Sequence, residues 1–342
     1  MSTVQATRRT SGIVPHLAEA GALMVVGLAA YFILTSAYDR LILSNALVNV
    51  LLALGLALTL RTGRISLAQA TLAGVGAYVS AWLSVNTTMS LFMTVVLGTL
   101  AAGVIGLLIG MLGLRLAGFY FVIATLAFSQ VFTVVVGAWQ NVTGGLNGIV
   151  GVLRFNSVPG FDFSFSGGYS GYVLLLLIVV VLAYVVTALM TGRNKVGRRL
   201  IAVGDNDLIA TSVGVHPALW RTVAFAVGSL IAGLAGSIQA SYLGVAAPST
   251  YNLNASVLVL AMVFLGGKRS LPGVVIGAVA LTYIPEWARF GPQSQLLISG
   301  AFFVVIAFLL PNGLIPTAGR IIRRVRNKKA QERAAVTGVT NG

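Results

Sequence analysis

Apolar runs follow one another along almost the whole chain, and that succession decides what it can fold into. Ten segments stand out: Ala18–Ser36, Leu41–Leu60, Ile65–Val85, Leu91–Leu114, Gly118–Ala138, Tyr172–Met190, Leu219–Tyr242, Asn252–Gly266, Leu271–Trp287 and Gln295–Pro311. A helix needs about 20 mostly apolar residues to cross the hydrocarbon core. Inside hydrocarbon every backbone N–H and C=O must be bonded within the protein, so segments of this kind become helices. Only 8% of residues are charged and 57% are hydrophobic, whereas soluble domains carry about a quarter charged residues. The expected fold class is all-α: a polytopic transmembrane helical bundle of about ten spans. Asn252–Gly266 and Leu271–Trp287 are short for spans. Either is a candidate broken or re-entrant helix, which needs protein or a cavity to cover its backbone.

Charge orients the bundle. With the N-terminus inside and every segment crossing, 19 Lys and Arg residues fall on the cytoplasmic side, and three (Arg40, Arg154 and Arg289) fall outside. Cytoplasmic loops of membrane proteins carry this excess, so both termini are expected in the cytoplasm. If Asn252–Gly266 did not cross, Lys268 and Arg269 would be displaced from that side, so it is expected to cross. The organisation that follows is a cytoplasmic N-terminal segment over 1–17, a transmembrane domain over 18–318 and a basic cytoplasmic tail over 319–342. A cytoplasmic loop spans 191–218 and an external loop spans 139–171. The net charge of +15 therefore reads as orientation and as contact with anionic lipid headgroups along Arg320–Arg333. No groove-reading motif points to nucleic acid. The first span is expected to be retained, because no small-residue cleavage site accompanies it.

The chain lacks the usual carriers of chemistry. Gly267-Lys268-Arg269-Ser270 comes nearest to a nucleotide-phosphate loop, but Met262 stands at the first glycine position and Arg follows the Lys. There is no cysteine, and His16 and His216 are the only histidines, so neither disulfides nor a metal site is expected. No Ser-His-Asp arrangement stands in a suitable setting. Asp39, Asp162, Glu286 and Glu332 lie at or beyond segment ends, and Glu19 opens the first segment. Ion-coupled carriers need ionisable groups or an ion site at the midplane. A chain without them is expected to be a non-enzymatic subunit without a cofactor, with energy for uphill transport supplied by another subunit.

Against this background Val196–His216 is anomalous, being polar and basic between two strongly apolar runs. Asp205 or Asn206 can cap a short helix, and Asp207 suits the positive end of its dipole. Gly214 can close it in the left-handed conformation, and Pro217 prevents continuation. A capped cytoplasmic helix of about two turns has the shape of a coupling element; the alternative is a solvated loop helix that touches nothing. Gly106/Gly110, Gly273/Gly277 and Ala232/Gly236 are small-residue pairs of the sort that let membrane helices approach closely, within the bundle or against a partner. Ser66, Gln69 and Thr71 on the third segment, and Thr125, Ser129 and Gln130 on the fifth, are polar groups at membrane depth. They are candidates to line a translocation path. Against this, Ser and Thr can bond their own helix backbone, and the two amides can join helices.

Several stretches together resemble the inner-membrane permeases of branched-chain amino-acid ABC importers. Gly63-Arg64-Ile65-Ser66-Leu67-Ala68-Gln69-Ala70 with Gly74-Val75-Gly76-Ala77-Tyr78 is similar to that family's G-x-x-S-L-G-H-x and G-I-G-A-Y motifs. Gly118 to Phe128 is similar to G-x-Y-F-A-I-x-T-L-A-F, and Thr143-Gly144-Gly145-Leu146-Asn147-Gly148-Ile149 to T-G-G-x-x-G-I. Gly197-Arg198-Arg199 through Asp207, Ala210 and Gly214 resembles the family's cytoplasmic loop. The family often has His where Gln69 stands, Glu where Gln130 stands, and Ala-Arg where Thr211-Ser212 stand. The resemblance implies a heterodimer with a homologous permease, two cytoplasmic ATPase subunits, an external solute-binding protein and a prokaryotic cytoplasmic membrane. It implies ATPase coupling through Arg198, Asp205, Asp207, Ala210 and Gly214. The implied cargo is a branched-chain or related hydrophobic amino acid; urea or another small solute is the alternative within the family. A stand-alone channel or secondary carrier, or a structural or receptor subunit, is the alternative outside it.

Overall fold

A computed structural model describes residues 14–34, 36–113, 118–153, 157–158, 161–164, 170–192, 194–268 and 270–287. The long helices are α1 (Val14–Ile33), α2 (Ala37–Arg61), α3 (Gln69–Asn86), α4 (Leu91–Gly113), α5 (Phe119–Ala138), α7 (Ser170–Thr191), α10 (Pro217–Leu243), α11 (Leu253–Gly266) and α12 (Leu271–Trp287). Short helices α6 (Gln140–Thr143), α8 (Lys195–Asp205) and α9 (Asp207–Ser212) lie between them. Among the described residues, six helical stretches, Pro248–Gly266 among them, are long and apolar enough to cross a membrane by length and composition. The segment Gln295–Pro311, the tail over 319–342 and residues 1–13 lie outside the described residues.

Contacts at each end show that the long helices alternate in direction. At one end Arg221, at the start of α10, donates to the Thr62 carbonyl just past α2. Phe121, at the start of α5, packs edge-on against Phe225 at 5.6 Å between centroids. At the opposite end the Leu153 N–H donates to Ser84 near the end of α3, and Ser241 near the end of α10 donates to the Leu153 carbonyl. There Tyr38 of α2 also bonds Glu286 of α12. The first end carries Arg61, Arg64, Lys195, Arg198, Arg199, Arg221 and Lys268 and is called the basic end below.

The core is α2, α3 and α10, with α4 against one side. Small residues allow the backbones to meet: a side chain on Gly236 would strike the Ala73 carbonyl, and one on Gly76 would strike the Gly233 carbonyl. Gly106 and Gly110 of α4 receive Ser229 and Thr222 of α10, and Gly273 and Gly277 of α12 receive the α11 backbone at Gly266 and Met262. These small-residue pairs are thus filled inside one chain, where close van der Waals packing supplies the association that lipid cannot.

Two regions depart from simple spans. The third apolar segment is not helical from Ile65: residues 62–68 are irregular, and α3 begins only at Gln69. Arg221 sits level with Thr62, and Gln69 sits level with Gly228. Seven residues at 1.5 Å each place the start of α3 about 10 Å inside the bundle. From the opposite end, the 3-10 turn Pro248–Thr250 and the fully buried Tyr251 lead into α11, which has 14 residues. One side of α11 is buried, through Ser256, Val259, Met262 and Val263, while Val257 and Phe264 stay exposed.

The external-loop sequence 139–171 is pinned rather than free where it is described. Strand β1 (Ile149–Val150) pairs antiparallel with β4 (Val245–Ala246), and β2 (Ser157–Val158) with β3 (Phe161–Ser164). Gly148 has φ +74 and lies so close to Ala246 that any side chain would strike its carbonyl, which requires glycine.

Candidate functional site

The buried start of α3 exposes backbone donors at membrane depth, where each one left unpaired would cost several kcal/mol. Hydroxyls from three directions meet them. The Leu67 N–H donates to Thr125 Oγ1 at 3.1 Å, the Ala68 N–H to Ser66 Oγ at 3.2 Å, and the Ala70 N–H to Ser256 Oγ at 3.1 Å. Ser129 donates to the Leu67 carbonyl at 2.7 Å and accepts from Thr71 at 2.8 Å. Gln69 donates its amide to the Gly228 carbonyl at 3.1 Å, wedged where Gly55 and Gly228 bring α2 and α10 together. Its Oε1 has no partner. Ser66, Thr125 and Ser129 therefore converge on one seam, while Gln69 reaches into the α2–α10 contact; each of the four is at most 1% exposed. Gln130 does not join them; it lies on the outer face of α5 among exposed Ile123, Leu126, Val131 and Val134.

Beside the seam, toward the opposite end, α3 and α5 stand apart. A cleft of about 570 Å³ opens between them, with Ile105 of α4 along one side. Its walls are aliphatic and aromatic, and Trp82 and Trp139 stand at its rim. Tyr78 is 6% exposed and its hydroxyl has no hydrogen-bond partner.

At the basic end, α8 and α9 form a hairpin between α7 and α10. Asn194 caps α8 by accepting from the Gly197 N–H at 2.8 Å, and α8 buries Gly197, Leu200 and Val203 at three-residue spacing. Asn206 caps α9 by accepting from the Leu208 N–H at 2.8 Å. Of the two expected cap candidates it is therefore Asn206, not Asp205, that acts. Asp207 takes both Arg221 guanidinium nitrogens, at 3.0 and 2.7 Å, a paired geometry stronger than a single contact. Arg199 lies over the Trp220 ring at 5.4 Å. Gly214 closes the hairpin at φ +75 with open space around it. Arg198 and Asp205 face outward, while Ala210 is fully buried and holds α9 to the bundle. Leu208, Ile209 and Val213 project outward, 79%, 60% and 67% exposed. Burial first, and then the like charge of Arg221, lower the pKa of Arg64, with Asp207 opposing.

Four groups escape the sequence reading: Arg221, Ser256, Tyr78 and the helix α8. Arg221 reads in the sequence only as one of the cytoplasmic cations, although the carboxylates of Asp205 and Asp207 nearby are a signal for a partner. Tyr78 closes the G-x-G-A-Y motif. The spacing of Gly197, Leu200 and Val203 marks a helix face that Lys195, Arg198 and Arg199 obscure. Ser256 gives no signal, since its partner lies 186 positions away.

Alternating apolar helices, a capped and tethered hairpin at their basic end and a non-ionisable polar seam within them define a multi-pass membrane transport subunit. The chain belongs to the family described as "Branched-chain amino acid transport system / permease component", which it matches over residues 39–309, and so to the ABC-type permeases. It is 28% identical to the high-affinity branched-chain amino acid transport system permease protein LivM of Salmonella typhimurium, over 86% of this chain and 74% of that one. It is also 26% identical to the D-allose transport system permease protein AlsC of Escherichia coli, over 82% and 84% of the two chains. A third relative is the autoinducer 2 import system permease protein LsrC of Yersinia enterocolitica, 27% identical over 76% and 73%. No solved structure matches the chain.

Proposed function

We propose that this chain is the permease subunit of an ABC importer for branched-chain or related hydrophobic amino acids in a bacterial cytoplasmic membrane. The basic end faces the cytoplasm, in keeping with the positive-inside bias, and both termini lie there after ten crossings. A homologous permease completes the passage, two ATPases drive it, and an external binding protein delivers the solute. Arg198, Asp205 and the outward ridge of α9 meet the ATPase; Asp207, Ala210 and Gly214 fix the ridge in place. Ser66, Gln69, Thr125 and Ser129 border the passage from inside, and Gln130 borders it from the partner side.

The observation that carries this reading is the hairpin. Three large apolar side chains project beyond the spans on a helix locked to the bundle by the Asp207–Arg221 pair. Exposed apolar residues gathered on a rigid mount mark a protein contact. For the cargo, the weight lies with the family match over residues 39–309 and the likeness to LivM, which favour a branched-chain amino acid over the sugar in AlsC's name.

Cysteines placed at Leu208 or Thr211 are expected to crosslink to a co-isolated ATPase. Crosslinks only to lipid or to other parts of this chain would end the coupling reading. Reporter fusions after Gly145 and after Gly204 should report opposite sides, external and cytoplasmic, and the same side for both would break the topology.

A further inference from the structure

We propose that Arg221 is a positioning residue that carries movement of the α8–α9 hairpin to the irregular entry of α3, and through it to the polar seam. The proposal rests on the importer reading above, in which the hairpin meets the ATPases.

Two contacts join the hairpin to that entry. Arg221, near the start of α10, makes the first and holds both sides at once. Its two terminal nitrogens donate to Asp207 of α9 at 3.0 and 2.7 Å, and its Nε donates to the Thr62 carbonyl at a longer 3.4 Å. The second contact is backbone against backbone. A side chain on Gly204, in the last turn of α8, would come within 2.2 Å of the Arg61 carbonyl, and one on Gly63 within 3.1 Å of the Gly204 carbonyl. Gly63 has φ +77, a conformation that suits glycine.

From Thr62 the path to the seam is short. The Leu67 N–H donates to Thr125, and the Leu67 carbonyl accepts from Ser129. The strap over 62–68 is thus pinned to the hairpin side at its start and to α5 at its end. Close backbone contacts with α10 fix α2 and α3 on either side of it, so the strap is the part that can absorb a change of φ and ψ, as hinges do. Coupling also needs two arrangements with different contacts. Arg64, within the strap, feels the charges of both Arg221 and Asp207, and its Nη1 is buried without a partner among the described residues. Movement of α9 that passes the Asp207 carboxylate from Arg221 to Arg64 would release Thr62 and draw the strap toward the hairpin.

The test uses the assembled complex in nanodiscs, with its ATPases and binding protein. The chain has no cysteine, so Ile65→Cys, at a position 36% exposed, reports on the strap through its rate of reaction with a water-soluble thiol reagent. That rate is expected to differ about tenfold between the nucleotide-free complex and the complex trapped with ATP and vanadate, within the ordinary range of coupling between sites. Exchanging the pair, Asp207→Arg with Arg221→Asp, rebuilds the ion pair but puts at position 221 a group that cannot donate to the Thr62 carbonyl. The ATPases should still co-isolate, while the difference at position 65 disappears and uptake per ATP hydrolysed falls about tenfold. An exchange that restores both shows that Arg221 only anchors the hairpin, and overturns the proposal. If the exchange releases the ATPases, Gly63→Ala asks the same question with the ion pair untouched: it strains the turn against Gly204 and should diminish the difference at position 65 with the ATPases bound. An undiminished difference there also overturns the proposal. An importing complex in which position 65 reacts alike in both states removes the relay alone. A chain that co-isolates with no ATPase removes the importer reading and the relay with it.

Discussion

Helices α3 and α5 share one set of hydroxyl contacts, yet they are held in the molecule by different means. In α3, 13 of 18 residues are buried. Most are Gly, Ala or Ser, and α2, α4 and α10 press against them. In α5 only Phe121, Thr125, Ser129 and Val136 are buried among 20 residues; apart from Gln130 and Thr133 the rest is aliphatic, aromatic or small, with Phe128 and Phe132 turned toward the cleft and Ile123, Leu126 and Val134 exposed on the outer side. Between these two helices hydropathy and burial run in opposite senses. Lipid is as apolar as leucine and does not drive apolar helices together, so small-residue α3 reaches the core while α5 stays at the edge; leucine-rich α2, also in the core, shows that hydropathy by itself does not decide. α3 is held by backbone proximity along its length, and α5 by two hydroxyls one turn apart.

That contrast breaks most readily at the closest backbone approach. Gly236→Val would drive a branched side chain into the Ala73 carbonyl. Overpacking with no flexible neighbour costs 1–3 kcal/mol or more, and here the α3–α10 contact itself would open. Loss of folded subunit from the membrane fraction is expected, measured by size-exclusion profile after extraction. Val134→Leu on the exposed face of α5 should leave that profile unchanged. Equal behaviour of the two would show that the core is not set by these glycines.

A smaller effect is expected at the hydroxyls. Thr125→Val keeps the shape but strands the Leu67 N–H, and Ser129→Ala removes both the bond to the Leu67 carbonyl and the acceptor for Thr71. Each should cost about 1–3 kcal/mol. The loss should fall on the attachment of α5, read as faster amide exchange across residues 119–138 with the α10 amides unchanged. Uniform acceleration across both helices would show that α5 is an integral part of the core.

Comparable in size but different in kind is Gly214→Val. A β-branched residue at φ +75 is strained by about 1–3 kcal/mol, with no clash to relieve. The spans should persist and the α9 ridge should shift. ATPase activity stimulated by the binding protein should fall while docking of the binding protein persists. Full stimulation in this variant would remove the hairpin from the coupling route.

The spans were legible because composition alone marks a helix in hydrocarbon: the sequence segments Leu91–Leu114 and Leu271–Trp287 fall on α4 and α12 almost residue for residue. The irregular entry over 62–68 was not legible. Ile65 and Leu67 are as apolar as any helical pair, and nothing local records that Thr125 and Ser256 wait to receive the backbone. Facing was illegible for the same reason. In α5 nearly every residue is apolar, so no periodicity separates the side carrying Thr125 and Ser129 from the side carrying Gln130. The hairpin was read further, because caps and positive φ use residue types that declare themselves: Asn206, Asp207, Gly214. Even there the inward turn of Ala210 needed the fold.

The two glutamines give the finest test of the comparison. Both carry a primary amide at membrane depth, one in each helix. Gln69 spans the α2–α10 contact and is 1% exposed, so Gln69→Leu removes a bond between helices worth roughly 0.6–1.7 kcal/mol in a membrane protein. A drop of a few degrees in the melting temperature of the isolated subunit is expected, with membrane abundance near normal and uptake reduced. Gln130 is exposed at the middle of α5, where an amide facing lipid would be unfavourable. Its replacement by Leu should leave the isolated subunit as stable as before, or slightly more so. What it should weaken is recovery of the second permease in the purified complex, and with that, uptake. If Gln130→Leu destabilises the isolated subunit and leaves pairing intact, α5 is held from within this chain and its outer face is not the meeting surface. If Gln69→Leu proves silent in both measurements, the glycine contacts alone hold α2 to α10, and the amide is there for the solute.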